Sequence, residues 1–254
     1  MTINLDNQKK VMISKIFEVF KFELILHKKR YILMMTLSLV VICLISIFSI
    51  FYLPSEPRLF AATTVGELGS FIMLLSLFFA GGILADEFDK KTALTNFTKT
   101  SRDNFFIGKT LAAYFSVIIW IGPALIETSI FSLILYNHIP VELFIWFGYY
   151  SIVGGAYTAI YLLCSAIFRS GGQAMTIGFV IFIVEAAAFG ILLAFINFPY
   201  PFILYCELPG QAIFGTETDG IEIIIDPLLG ISIALLYLIP CILIAYLRFK
   251  VRDV

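Results

Sequence analysis

The residues best suited to chemistry are Gly-Lys-Thr at the end of DNFFIGKT, residues 103–110. This triplet ends the phosphate-binding loop of many ATPases, where backbone amides and the lysine hold phosphate. That loop needs a glycine five residues before its Gly-Lys pair, and Asp103 stands there. A carboxylate would repel phosphate, and an apolar stretch follows directly. We therefore expect no nucleotide site and place Gly108 and Lys109 at the beginning of a membrane helix.

The other polar residues form no catalytic pattern. The two histidines, His27 and His138, are far apart, and three of the four cysteines lie in apolar runs. A cysteine in such a run usually packs as a small hydrophobic residue. We therefore expect no catalytic residue, no metal site and no cofactor in this chain.

The composition identifies a membrane protein. Hydrophobic residues make up 60% of the 254 residues, charged residues 14%, and the mean hydropathy is +0.98, against about 45–50% and about 25% in soluble proteins. The net charge of −1 gives no indication of a nucleic-acid partner. A helix needs about 20 apolar residues to cross a bilayer. Six runs qualify, so we predict an all-α protein with six spans in one transmembrane domain, 31–254: 31–53, 66–84, 105–136, 142–168, 174–196 and 227–247.

The distribution of basic residues predicts the orientation. With six spans, all but Arg58 of the 17 Lys and Arg residues fall on one side of the membrane. Cytoplasmic loops carry this excess. We therefore expect a multi-pass protein of the plasma membrane with both termini in the cytoplasm.

Two segments outside the spans have their own character. Within residues 1–30, the part from Val11 to Lys28 has an apolar face, interrupted by Glu23, and a basic face. This pattern is typical of an amphipathic helix at the membrane surface, although an ordinary lead-in segment is the alternative. The outer segment 197–226 is apolar and contains three prolines, which predicts partly helical structure that re-enters the membrane.

The loop after the second span carries a recognisable series of residues. An apolar span ends, Glu87 and Thr92 follow, and Ser101-Arg102 precede the Gly108-Lys109 pair. This arrangement resembles the permeases of ABC transporters, specifically the type-2 exporter family. In that family a glycine precedes the threonine and a proline precedes Ser-Arg. Here Lys91 stands in place of the glycine, and the proline is missing.

The resemblance implies a function. The chain would be the membrane-spanning subunit of an ATP-driven exporter, paired with a second permease copy or a homologue, in the lipid bilayer. Two copies of a separate ABC ATPase subunit would hold ATP and Mg²⁺. A coupling helix in 87–102 would dock on that ATPase, although a solvated basic turn explains the charges equally well. The residues expected to serve coupling are Glu87, Phe88, Lys91, Thr92, Leu94, Phe97, Ser101 and Arg102, with Phe88, Leu94 and Phe97 as apolar anchors.

Two acidic residues lie within predicted spans, Glu127 in the third and Glu185 in the fifth. A charge at the bilayer centre is unfavourable by at least about 2.5–3.5 kcal/mol, so such residues usually face protein or water. Each could line a substrate route or a subunit seam, or be a protonated acid bonded to a neighbouring span. They also give weak support to an alternative function, an ion-coupled secondary transporter. A non-transporting membrane scaffold is the third interpretation.

Overall fold

The chain is described by a computed structural model that covers residues 5–52, 56–65, 68–89, 92, 100–195, 202–214 and 226–252. These residues form helices and no strand. The helices are α1 (Leu5–Leu26), α2 (Lys28–Tyr52), α3 (Pro57–Val65), α4 (Leu68–Ala80), α5 (Ala85–Asp89), α6 (Arg102–Tyr136), α7 (Glu142–Ile167), α8 (Gly171–Phe195), α9 (Glu207–Ala212) and α10 (Pro227–Val251), and a 3-10 turn (Ile203–Cys206) precedes α9.

Six segments in this described part are long and apolar enough to cross a membrane, as the sequence predicted. They lie in α2, α6, α7, α8 and α10 and in the stretch Phe71–Asp89, which joins α4 to α5. Large apolar side chains cover much of the outside, for example Phe48, Val184 and Leu236. Such a surface suits a lipid solvent, whereas exposed apolar patches on soluble proteins are small. The all-α membrane fold is therefore confirmed.

Helix α7 lies at the centre of the bundle and contacts α4, α6, α8 and α10. Its buried side carries Trp146, Tyr150, Tyr157 and Tyr161. Between these aromatic residues, Gly154 allows close packing: an added Cβ would collide with Val117 of α6. The large rings fill the space between helices, and the glycine brings α6 against α7.

Helix α1 packs along the beginning of α6. Phe20 makes an edge-on contact with Phe115, with ring centroids 5.6 Å apart. Met12, Ile13 and Phe17 remain exposed. The apolar side chains of α1 are therefore divided: some pack against α6, and others stay exposed in the described part of the chain. Its place at the membrane surface stays a prediction.

The segment before α10 is packed against the far end of the bundle. Ile203, Tyr205 and Cys206 are buried. The Tyr149 hydroxyl donates to the Cys206 carbonyl over 2.7 Å, and the Cys206 thiol donates to the Gly230 carbonyl over 3.2 Å. These contacts hold 203–212 on α7 and α10. Whether the segment re-enters the bilayer remains a prediction.

Candidate functional site

A buried cluster of charged side chains lies at the end of the bundle that carries α1, α5 and the last turn of α10, here called the terminal end. The Lys109 ammonium lies 2.6 Å from Glu23 Oε1 of α1 and 2.7 Å from Glu87 Oε1 of α5. These three side chains form the triad. The Lys109 side chain is only 3% exposed and Glu23 only 1%. Three separate segments are therefore joined through one ammonium group.

One ammonium cannot neutralise two buried carboxylates. Burial raises the pKa of Glu23 above its usual range; the attraction of Lys109 opposes this rise, and the nearby Glu87 adds to it. Around the triad, Thr92 donates to Glu87 Oε2 over 2.5 Å, and His27 Nε2 lies 3.7 Å from Glu23 Oε2. Because a buried charge is unfavourable unless paired, the cluster is stable only while these partners stay assembled.

The Gly-Lys pair of the sequence has a structural purpose here. A Cβ on Gly108 would lie 2.7 Å from the Cβ of Val19 and 3.0 Å from the Ile16 carbonyl. Glycine thus lets α1 approach the backbone of α6, and the next residue of α6, Lys109, binds Glu23 of α1. Gly108 and Lys109 are the docking point of α1 and lie inside α6, as expected.

The other end of the loop is fixed to α10. Ser101 caps α6, its hydroxyl accepting from the Asn104 amide over 3.3 Å. Arg102 donates to the carbonyls of Lys250 and Arg252 over 2.8 and 2.9 Å. The last carbonyls of a helix have no partner within the helix. Arg102 therefore supplies the C-terminal cap of α10 and attaches the loop to it.

Helix α5 is fixed to two further spans. The Ser165 hydroxyl of α7 accepts from the amides of Leu84 and Ala85, both over 2.9 Å. The Asp86 carboxylate occupies the space that a Cβ on Gly171 would take, at the first residue of α8. A carboxylate at a helix N-terminus is favourable because the helix dipole is positive there. Helix α5 is thus bonded to α7 and packed against the beginning of α8.

An aromatic cluster covers the terminal end between α5 and α10. Phe88 makes an edge-on contact with the buried Phe249 at 5.7 Å, and the Arg252 guanidinium lies 4.0 Å from the Phe88 ring centre. Phe105 stacks on Phe249 from α6. Phe88 was predicted as an anchor for a partner, yet the structure places its ring against this chain's own last helix.

The predicted coupling residues thus fall into two groups. Glu87, Thr92, Ser101 and Arg102 bond within the chain at the two ends of the loop. Phe88, which packs on Phe249, also belongs to this first group. The remaining three, Lys91, Leu94 and Phe97, lie outside the described residues.

The two acidic residues of the spans lie apart from this site. Glu185 Oε1 accepts from the Ile203 amide over 2.8 Å, so it holds the 3-10 turn of the outer segment. Glu127 lies beside Cys43 of α2, and its Oε2 atom has no hydrogen-bond partner among the described residues. Gly190, five residues after Glu185 on α8, is not at a close helix contact among the described residues, because an added Cβ there would meet no atom within 4 Å. Within the described part of the chain, Glu185 is thus bonded to the outer segment and not to a neighbouring span. Whether either acid lines a substrate route or a subunit seam stays a prediction.

Sequence reasoning missed Glu23, Asp86 and Ser165 as members of this site. For Glu23 a signal existed: it is the one acid on an otherwise apolar face, and Lys109 lies just inside an apolar run. Two isolated opposite charges in apolar surroundings predict each other as partners. Ser165 and Asp86 gave no such signal, because their partners are backbone groups.

Six membrane helices and a loop anchored at both ends define a polytopic integral membrane protein. A family model described as ABC-2 family transporter protein matches residues 68–254. The chain belongs to this family, and the resemblance drawn from its loop motif is confirmed. It is thus an ABC transporter permease, a membrane transport component. No curated protein sequence matches the chain.

Proposed function

We propose that the chain is the permease subunit of an ATP-driven exporter, and that the loop 87–102 transmits the movement of a separate ATPase to the spans. A second permease, identical or homologous, completes the pathway. The protein lies in the plasma membrane with both termini in the cytoplasm. Family membership favours this function over an ion-coupled secondary transporter. The excess of basic residues on the side of the termini supports the orientation.

The observation that carries the proposal is the double anchorage of the loop. Glu87 and Thr92 hold its first end to Lys109, and Arg102 holds its second end to α10. Through Lys109 the first end also reaches α1. A force on the residues between these anchors therefore acts on α1, α6 and α10 at once. A flexible turn would dissipate the same force in its own bending.

The proposal assigns different tasks to the three predicted aromatic and aliphatic anchors. Phe88 packs inside the chain and fixes α5 to α10. Leu94 and Phe97 stand between the anchored ends in the sequence, which supports them as partner contacts. Large apolar side chains in a loop outside the bilayer have no lipid to contact, and apolar anchors dominate protein interfaces.

Copurification tests the proposal. The tagged chain, extracted in mild detergent, should bring an ABC ATPase with it. Phe97→Ala and Leu94→Ala should weaken that complex and reduce ATPase stimulation, with the helix content and melting temperature of the permease unchanged. Phe88→Ala is the matched control: it should lower the melting temperature first. Full assembly and full transport by both Phe97→Ala and Leu94→Ala would reject the loop as the coupling element.

A further inference from the structure

A groove runs along the outside of the bundle between α6, α7 and α10. Its volume is about 310 Å³, and apolar side chains such as Leu111, Ile152, Leu238 and Ile242 line it. Gly155 forms part of its floor, where an added Cβ would be 3.4 Å from Tyr114 and 3.5 Å from Leu238, both ordinary contacts. A side chain longer than alanine at Gly155 would therefore take up space in the groove.

The depth of the groove corresponds to one half of the bilayer. On α7 it extends from Leu162 to Ser151, which at 1.5 Å per residue is about 8 to 24 Å from the end of that helix. The hydrocarbon core is about 30 Å thick. The groove thus runs from near the terminal end to about the middle of the membrane.

The shape and chemistry of the groove select its occupant. A second copy of this chain would have to insert a helix about 10–12 Å wide, and a space of about 310 Å³ between three helices is too narrow for one. Water would need several polar partners. The few polar residues of the lining offer no such partners; the hydroxyl oxygen of Thr110, for example, is buried. A thin hydrocarbon chain fits this apolar lining.

Charge at the terminal end favours a negative headgroup. Lys250 is 55% exposed, and its ammonium lies over the ring of Tyr246, 5.5 Å from the ring centre. Tyr246 stands one turn beyond Ile242 on α10. The only carboxylate neighbour of Lys250 in the described part of the chain is Asp103, at 4.0 Å. Arg248 adds a second basic residue at the same end of α10. Basic groups next to a bilayer attract anionic lipids.

We propose that this groove is a lipid site, which holds an acyl chain of one anionic glycerophospholipid with its headgroup beside Lys250. The bound lipid would fill the groove between α6 and α10 and become part of the packing of both spans. The site is separate from the loop and the triad, so it does not depend on the coupling proposed above.

Two variants and one control test the site. The purified, delipidated chain is titrated with dioleoyl phosphatidylglycerol or dioleoyl phosphatidylcholine, and bound lipid is counted by native mass spectrometry. Gly155→Leu should fill the groove and lower occupancy by both lipids at least tenfold. Gly148→Leu, on the same helix with no atom within 4 Å of its Cβ, should leave occupancy unchanged. Lys250→Gln should reduce the preference for phosphatidylglycerol about fivefold.

The outcomes are distinct. Unchanged lipid occupancy in Gly155→Leu overturns the site. If Gly155→Leu instead abolishes a dimer of this chain, the groove is a protein interface and the lipid assignment is wrong. Should Gly155→Leu fail to fold, Lys250→Gln decides: an unaltered preference between the two headgroups rejects the proposal, since the acyl chains are identical.

Discussion

Replacing Lys109 by methionine tests the triad most directly. Methionine fills similar space without the charge and leaves Glu23 and Glu87 facing each other. Each of their nearest oxygens lies within 2.7 Å of the Lys109 nitrogen in the intact protein. The two carboxylates would then repel each other across a buried gap, and α1 is the element that can leave.

Two routes bound the magnitude. Oxygens that contact one nitrogen are at most about 5 Å apart, and two charges at that distance repel by about 3 kcal/mol at an effective dielectric constant of about 20. Alternatively one carboxyl takes up a proton, which for an ordinary glutamate at pH 7 is unfavourable by about 3–4 kcal/mol. The raised pKa of Glu23 makes the second route somewhat easier. We expect α1 docking to weaken by about 3 kcal/mol, the lower end for broken buried pairs.

Hydrogen exchange measures this effect locally. A loss of about 3 kcal/mol corresponds to roughly hundredfold faster exchange of the α1 amides, since about 1.4 kcal/mol is a factor of ten. Exchange through local opening reports the stability of one element. The control is Lys21→Met, an exposed lysine on α1, which should change exchange less than about threefold.

Rescue distinguishes repulsion from simple loss of packing. Glu23→Gln in the Lys109→Met background removes one of the two negative charges and lets an amide donate to Glu87. The double variant should exchange its α1 amides at least about tenfold more slowly than Lys109→Met alone. If Lys109→Met exchanges like the unmodified chain, or if Glu23→Gln restores nothing in that background, the triad does not hold α1.

Three further expectations concern other parts of the molecule. The pKa of Glu23 is raised from 4.5 in the docked state, so undocking releases a proton. The docking of α1 should therefore weaken as the pH rises from 4.5 through the raised pKa. Glu23→Gln should flatten this pH dependence of α1 exchange. Gly108→Leu should displace α1 by collision with Val19 and weaken its docking by about 1–3 kcal/mol, whereas Gly122→Leu, which meets no atom within 4 Å, should not. In Glu185→Leu the backbone amides of 203–206 should exchange about 10- to 100-fold faster. Glu185→Gln should preserve their protection, because it keeps the acceptor oxygen. Equal exchange in both variants would contradict the contact with Ile203.

The spans were predictable from sequence because the bilayer imposes a length and an apolar composition that few soluble helices meet. The motif around Glu87 and Arg102 located the anchored loop for a similar reason, since its residues are close together in the chain. The partner of Glu23 was not predicted. An amphipathic pattern shows which face of a helix is apolar, but it does not show what that face contacts. The same limit applied to Phe88, whose ring meets Phe249 from the far end of the sequence.

The cap that Arg102 places on α10 has a consequence for biosynthesis. The carbonyls it binds belong to residues 250 and 252, which leave the ribosome after every other span has been made. Chains are synthesised from the amino terminus, so a contact between an early and a late segment forms only after the late segment has been made. The second end of the loop therefore stays unfixed until the final helix is inserted. A truncated or misinserted chain lacks this fastening, so only a completed permease presents the loop held at both ends.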